Sequence, residues 1–485
     1  MSKFSEKCKA LLLENGTNVY RLANDSSLER TALQRMVTGR RLPGIDFVRQ
    51  FCRELRMPMA EEQYLMELYK MESIGEDVYR NRQYIHNLIR YLSRLEKGGF
   101  RNLPDSSANE VSFEKKYSGG VSDFEFTVYS VLEKCFESEE KINIYTNYPA
   151  TDGYFFKQLQ MLNRRYRKNN VSIHHLIHFQ INTALTAQNL QILYNVLPLT
   201  LSNTLNYTSY YYYSRVSDEE LCQFFFPYYI ITPKCLLEIS GDLQYAVLHS
   251  DLQKIKAYMQ EHDRLRCFVK PLFQSSSTPE EAWIQYKNLM PTNVKKLQVI
   301  GAQPCYWDLI NDRQFESMVN EYCPEFSHFV KSVISSHCFY EEREMNLFFT
   351  EEGLDYFCST GKMTGQIGAV LPALSRKERA DALERFLHHN PLHHYYLLSP
   401  KISIPLHLNF EVYENKQFQM IQITDELKVS IFTVTESSIC DAFWDYTESL
   451  KDMENLLSEE ETEQMVRGKL MRLKKGGFGL KNYNT

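Results

Sequence analysis

The chain is sparing with glycine, 19 in 485 residues, and has no Gly-rich phosphate loop of the Walker type, no GxGxxG and no GxSxG. Those absences remove the local signatures of P-loop nucleotide hydrolysis, dinucleotide binding and the serine nucleophile elbow. Its eleven cysteines stand apart, with no CxxC pair, and their number is odd. Neither a disulfide framework nor a zinc site fits that spacing, and isolated, reduced, mostly buried thiols fit a cytoplasmic protein. The N-terminus lacks the pattern of a secretory signal. No apolar stretch approaches the roughly 20 residues that cross a bilayer. The longest candidates, Phe224–Ile231 and Leu190–Leu201, are short or broken by proline and polar residues.

What is present is abundant aromatic material. Tyrosine (32) and phenylalanine (29) dominate an aromatic content of 13%, and hydrophobic residues reach 43%, enough for sizeable cores. The length predicts about three domains. The formal charge is −6, yet it is unevenly spread. Between Thr17 and Arg56 stand eight arginines, no lysine and four acids. A locally basic segment on an acidic body is what a protein needs when one part alone docks on phosphates.

That segment also has the sharpest local pattern. In residues 16–43, GTNVYRLANDSSLERTALQRMVTGRRLP, Asn18 is an N-cap for a helix from Val19 to about Asn24. Asp25, Ser26 and Ser27 supply turn chemistry. A second helix runs from about Glu29 to Thr38. Gly39 follows where a left-handed residue closes a helix, and Pro43 prevents continuation. Leu11, Leu12, Val19, Leu22, Ala23, Leu28, Leu33 and Met36 fall where short helices bury one face against each other. Asp46 is expected to cap a fourth helix carrying Phe47, Val48, Phe51 and Leu55, and a fifth carries Tyr64, Leu65, Leu68 and Tyr69. The expected result is a compact all-α domain of five helices, residues 1–75.

The Leu22-Ala23 pair, the turn to Leu28, Thr31, Leu33, Met36 and the closing Gly39-Arg40-Arg41-Leu42-Pro43 resemble the Xre/phage-repressor helix-turn-helix family over about residues 4–72. The resemblance implies a recognition helix in the major groove of double-stranded DNA. It places Glu29, Arg30, Thr31, Gln34 and Arg35 on that helix's first turns, with Asn18, Thr38, Arg40 and Arg41 completing the DNA-binding set. Arg reads guanine bidentately and Gln can read adenine. Arg40 and Arg41, beyond the helix, are positioned for the sugar-phosphate backbone. The chain departs from the family at Val37, where many relatives carry Glu, and at Val19, where many carry Gln or another polar residue.

Behind this domain, residues 76–121 read as a connecting helix, about Asp77–Glu96, and a polar, Gly-containing linker. From there helical and strand patterns alternate. Phe124–Cys135, Tyr154–Arg167, Gln188–Leu201 and Leu252–Arg264 read as helices. Lys141–Tyr148, Val171–Phe179 and Tyr207–Arg215 read as strands, and Tyr228–Ile239 with Leu243–His249 as a pair turning at Gly241-Asp242. The alternation predicts an α/β region. The segment from Tyr228 can be laid beside the one from Phe410, both running strand, turn, strand, helix, and Val294–Gly301 beside the Lys141 strand. The expected fold class is therefore multidomain: an all-α helix-turn-helix domain, then a larger α/β region of two related lobes, 122–268 and 269–455, with a C-terminal helix and basic tail at 456–485. Ser458 opens that helix with a capping-box pattern, and the tail beyond it reads as solvated, with packing on a second subunit or on DNA as the alternative.

The two-lobed outline loosely resembles the phospholipase-D-like fold, whose enzymes carry a His-x-Lys pair in each lobe. None of the 13 histidines here is followed two residues later by lysine, so on that resemblance the chain lacks the catalysis. The pairs His174-His175, His388-His389 and His393-His394 lack an acidic or Cys partner at ligand spacing, and neighbours on a strand point to opposite faces. No catalytic, cofactor or metal set is expected. Tyr211, Tyr213 and Arg215 are the candidate ligand-binding residues, although alternating tyrosines on a half-buried strand have an ordinary packing explanation.

The sequence thus predicts a cytoplasmic, sequence-specific DNA-binding transcriptional regulator without enzymatic activity and without membrane attachment. Its C-terminal region is expected to sense an effector, small molecule or peptide, to form a homodimer, or both. Two alternatives are a peptide-sensing regulator with helical repeats, which the β-prone runs disfavour, and a DNA-targeted enzyme with a catalytic C-terminal region.

Overall fold

The structure is a computed structural model that describes residues 2–96, 117–119, 121–167, 170–180, 186–202, 204–214, 225–273, 281, 284, 294–305, 308–322, 340–364, 371–400, 402–414, 417–423, 429–452 and 456–476. The chain divides into two compact units, Met1–Gln83 and Tyr84–Thr485.

The first unit is all-helical. Helices α1 (Lys3–Glu14), α2 (Val19–Asp25), α3 (Arg30–Val37), α4 (Ile45–Glu54) and α5 (Met59–Ile74) precede α6 (Glu76–Glu96), inside which the division falls. Each helix gives its apolar stripe to one core: Phe4, Cys8 and Leu11 from α1, Leu22 from α2, Leu33 and Met36 from α3, Val48 and Phe51 from α4, Leu65 and Leu68 from α5. Asp46 does not cap α4. The helix begins two residues earlier, with Gly44 in the capping position and no side-chain cap, and Asp46 lies in its first turn, paired at 3.6 Å with Arg49.

The second unit is α/β. Helix α6 does not serve only as a connector, because Ile85, Leu88, Ile89 and Leu92, spaced for one helical face, are buried in this unit's core. The linker expected up to residue 121 is also shorter than the sequence indicated. Residues 97–116 lie outside the described residues, but Tyr117–Gly119 form strand β1, and α7 (Val121–Glu137) starts at once. Next come β2 (Ile142–Thr146), α8 (Gly153–Tyr166), β3 (Val171–Gln180), α9 (Thr186–Thr200) and β4 (Asn206–Ser214). The stretch read as one strand from Tyr228 to Ile239 is a hairpin, β5 (Tyr228–Ile231) and β6 (Leu236–Ile239), because Thr232 closes a tight turn with its Oγ1 accepting from the Cys235 amide at 3.0 Å. Then follow β7 (Tyr245–His249), α10 (Leu252–Arg266) and β8 (Lys270–Pro271). The first sheet therefore runs past the expected lobe boundary at 268.

The second sheet is built from β9 (Lys296–Ile300), α11 (Asp312–Tyr322), β10 (Glu344–Thr350), α12 (Glu351–Thr360), α13 (Arg376–Phe386), β11 (His393–Leu398), β12 (Leu408–Tyr413), β13 (Gln417–Ile423) and β14 (Val429–Val434), followed by α14 (Ser437–Leu450) and α15 (Glu459–Lys475).

The two sheets share one topology. The first is ordered β1-β7-β6-β5-β2-β3-β4-β8, and the second, read from its far edge, β14-β13-β12-β9-β10-β11. In both, a parallel trio (β2-β3-β4; β9-β10-β11) abuts an antiparallel trio (β5-β6-β7; β12-β13-β14). In both, a helix follows the third antiparallel strand, α10 in one and α14 in the other. This is the strand-turn-strand-helix repeat read from Tyr228 and Phe410, with one more strand in each copy than the sequence disclosed.

The lobes share a core. Phe179 and Tyr211 from the first sheet, Leu272 just after β8, and Phe410, Phe432 and Phe443 from the second lobe belong to one buried cluster. Phe273 meets Phe432 edge-on, with ring centroids 6.2 Å apart. A polar junction reinforces the contact. The buried Glu436 carboxylate accepts from the Tyr213 hydroxyl (2.7 Å), from Ser438 Oγ (2.6 Å) and from the Ile439 amide (2.8 Å), and Asn189 Nδ2 donates to Ser438 Oγ (3.0 Å). Helix α15, expected at the head of a solvated tail, packs on its own lobe: Val466, Leu470 and Leu473 are buried there, and Lys469 is held by Glu351 (2.8 Å) and Asp355 (2.5 Å).

Candidate nucleic-acid interface

The local rules that make α2 and α3 can be followed atom by atom. Asn18 Oδ1 accepts from the Arg21 amide at 3.0 Å, so the first turn of α2 is capped by the side chain the sequence nominated. Ser26 then ends it twice over. Its hydroxyl donates to the Leu22 carbonyl (2.6 Å) and accepts from the Leu28 amide (3.2 Å), which fixes the turn. Glu29 is the N-cap residue of α3, without a side-chain cap bond. At the far end Gly39 is left-handed (φ 69°), and the Arg40 amide returns to the Arg35 carbonyl at 2.9 Å. A Cβ at Gly39 would come within 3.0 Å of Ser5 Oγ, so the position excludes side chains both by its backbone angle and by its neighbour. The Tyr69 hydroxyl donates to the Pro43 carbonyl (2.9 Å), tying down the exit.

Helix α3 therefore has two unlike faces. Leu33, Met36 and Val37 are buried in the core. Val37 is spent on packing. On the opposite side Glu29, Arg30, Thr31, Gln34 and Arg35 are all exposed, as are Asn18, Arg40 and Arg41. Arg30, Arg35, Arg40 and Arg41 have no carboxylate partner among the described residues. Thr38 is less available: its hydroxyl donates back to the Gln34 carbonyl at 2.7 Å. Asn18 is likewise engaged in its cap. One participant escaped sequence reasoning. Tyr20, 58% exposed, lies under the Arg30 guanidinium at 5.5 Å from its ring centroid, a cation–π contact that steers Arg30. An aromatic residue in the first turn of α2 was its only trace.

The candidate ligand residues divide by the alternation of β4. Tyr211 is buried in the core shared by the lobes, and Tyr213 donates to Glu436. Arg215 lies outside the described residues. Tyr212, on the other face, lines a cavity of about 110 Å3 with His178 and Tyr228 above the carboxyl ends of β2, β3 and β4.

The histidine pairs are engaged in packing. His175 is fully buried between the Tyr207 hydroxyl (2.6 Å) and the Tyr148 carbonyl (2.7 Å). The carbonyl fixes a proton on Nε2, so Nδ1 accepts from the phenol and the ring is neutral. Burial pushes its pKa down to about 4. His174 points the other way and stacks on Tyr145, ring centroids 5.1 Å apart. His393 is the opposite case. Burial lowers its pKa, but Asp308 at 2.9 Å, the Tyr340 carbonyl and Glu341 together outweigh burial and the net shift is upward. Its Nε2 donates to the Tyr340 carbonyl (3.2 Å), so both nitrogens face acceptors. His393 lines a cleft of about 940 Å3 with His388 and His389. Among the described residues no three His, Cys, Asp or Glu side chains converge as metal ligands. No helix of the described residues is long and apolar enough to cross a membrane.

No family model matches this chain, and no curated protein matches it. Among solved structures it is similar to the phosphatidylserine synthase of Haemophilus influenzae Rd KW20, at 10% identity over 79% of this chain and 96% of that one, with a TM-score of 0.24. It is also similar to TrmBL2, an archaeal chromatin protein whose structure shows a novel mode of DNA binding, at 11% identity over 56% of this chain and 94% of that one, with a TM-score of 0.20. Likeness this slight carries no inference about function.

Proposed function

We propose that the chain is a sequence-specific DNA-binding transcriptional regulator whose N-terminal helical unit reads the major groove through α3. The observation that carries this reading is the two-faced α3. One side is sunk in the core, and the other offers Arg30, Thr31, Gln34 and Arg35 to solvent, followed by Arg40 and Arg41, with the arginines unneutralised by carboxylates. Exposed cations without partners are suited to phosphates and guanine edges. The second unit is the signal-sensing or dimerising part, and a homodimer is expected because one such helix reads few base pairs and two half-sites raise affinity.

The test is selection of bound duplexes from a random pool, repeated with Arg30→Ala and Gln34→Ala. Each substitution should relax one base position by about 1–3 kcal/mol. Recovery of the same consensus at undiminished strength by both variants would refute the assignment.

A further inference from the structure

Most cations of α15 are neutralised within the fold. Arg467 pairs with Glu463, Lys469 with Glu351 and Asp355, and Lys474 with Glu384. The pattern changes at the tip, where three helix ends converge. Two arginines hold the convergence, and neither uses a carboxylate to do it. Arg376, in the first turn of α13, donates from Nε to the Leu473 carbonyl (2.6 Å) and from Nη2 to the Lys474 carbonyl (2.7 Å), closing the end of α15. Arg379 donates from Nη1 to the Cys358 and Ser359 carbonyls (2.7 and 2.8 Å), closing the end of α12. The backbone is packed tightly here as well. The Leu374 amide donates to the Gly361 carbonyl at 2.8 Å, and a Cβ on Gly361 (φ 76°) would lie 2.1 Å from the Leu374 carbonyl oxygen.

Around this rigid knot stand Lys362, Lys377, Arg472 and Lys475, all exposed and none with an ion-pair partner among the described residues. The acid in the α13 first turn, Glu378, is held in the capping box with Ser375, whose hydrogen bonds favour its ionised form, so it offsets one of these charges. Six positive charges thus gather against one local carboxylate and the partial negative ends of two helices, leaving a net positive patch in a chain of formal charge −6. Self-repulsion of this kind is relieved by a polyanion.

We propose that this helix-end cluster is a second nucleic-acid contact, a sequence-independent seat for the phosphate backbone, distinct from the base-reading face of α3. The inference rests on the reading of the chain as a DNA-binding protein. Nucleic acid is favoured over an anionic membrane because the cations ring a fixed knot of helix ends, and the chain otherwise offers a duplex-reading helix.

The experiment compares the full chain with Lys377→Gln/Arg472→Gln/Lys475→Gln on a labelled duplex of random sequence, by fluorescence anisotropy from about 50 to about 200 mM salt. Three lost phosphate contacts should flatten the log–log salt slope by about 2.7, so that the parent loses about 40-fold more affinity than the variant over that range. Equal slopes overturn the proposal, as does a parent that fails to bind the duplex at the lowest salt. Sedimentation of the parent, but not the variant, with phosphatidylserine vesicles while the duplex slopes coincide also overturns it and reassigns the cluster to a membrane. A wrong base-reading assignment shows itself differently: selection then yields no consensus while the salt slopes still diverge. Matching circular-dichroism melts confirm that the exposed substitutions leave the fold intact.

Discussion

His175 makes the second unit acid-sensitive in a way that one substitution isolates. Its ring is uncharged in the folded chain, wedged against Phe155 and Phe156 with its two nitrogens taken by the Tyr207 hydroxyl and the Tyr148 carbonyl. Protonation would place a positive charge where burial excludes water, with only a neutral phenol to face it, since burial raises the Tyr207 pKa well above 10. The folded pKa, about 4, lies below the ordinary 6.5. The unfolded chain therefore takes up a proton first as pH falls. The neutral ring's contribution is complete above about pH 6.5 and drains away between there and about pH 4. At about pH 4.5 the loss is about 2.5 kcal/mol. His175→Gln retains a donor and an acceptor but cannot titrate. At about pH 7.5 it should be the less stable chain by about 1–2 kcal/mol through poorer packing. By about pH 4.5 that gap should close or reverse, moving by about 2.5 kcal/mol. Groups that do not sense His175, such as His393, shifted upward, titrate alike in both chains and cancel; His262, depressed to about 3 mainly by burial and in part by His175 itself, does not, so both chains are compared in a His262→Gln background. All three tryptophans (Trp283, Trp307 and Trp444) belong to the second unit, so urea unfolding followed by tryptophan fluorescence reads that unit alone. A gap that moves by less than about 0.5 kcal/mol between the two pH values would refute the neutral, buried imidazole.

Other expectations follow from single contacts. Gly353→Ala should abolish soluble expression or cost several kcal/mol, since its Cβ would sit 1.9 Å from the Ala302 carbonyl oxygen; a near-native melting temperature would contradict that approach. Gly39→Ala should destabilise the first unit by about 1–2 kcal/mol through its left-handed angle, measured by thermal melting of residues 1–83 within the full chain by hydrogen exchange. Lys469→Ala leaves two carboxylates facing each other across a vacated site and should cost about 2 kcal/mol, with Lys469→Met less harmful. Light scattering should return a dimer mass, and a strict monomer at micromolar concentration would remove the homodimer from the proposed function.

What could be read in advance depended on range. The cap at Asn18, the Ser26 turn and the left-handed Gly39 are decided by neighbours within five residues, and each stood where its chemistry indicated. The alternation along β3 and β4 was equally legible, because period two needs no partner to be seen. Long-range pairing was not. Strand β1 is three residues long and exists only because Tyr117 meets Val247 across the sheet. The Thr232 turn carries neither Gly nor Asn, so one run concealed two strands. For Tyr211 and Tyr213, alternation gave a shared face, but which face meets a cavity depends on the sheet's neighbours, and Tyr212 rather than Tyr211 lines the one above β4. Partners distant in sequence also decided that Arg376 and Arg379 would serve helix-end carbonyls rather than carboxylates.

The matching strand orders carry a consequence for how the second unit could be cut. The two halves repeat one plan, yet they are not interchangeable modules. In the first half α10 keeps an outward face of Gln253, Lys256, Gln260 and Arg264 in water, whereas its counterpart α14 is buried along most of its length and packs on α9 of the other half. A fragment ending at Phe273 would bare the surfaces that Phe432 and Glu436 cover, and a fragment starting at Val294 would bare α14. Expressed singly, each half should precipitate; produced together in one cell, they should find each other and restore a soluble pair.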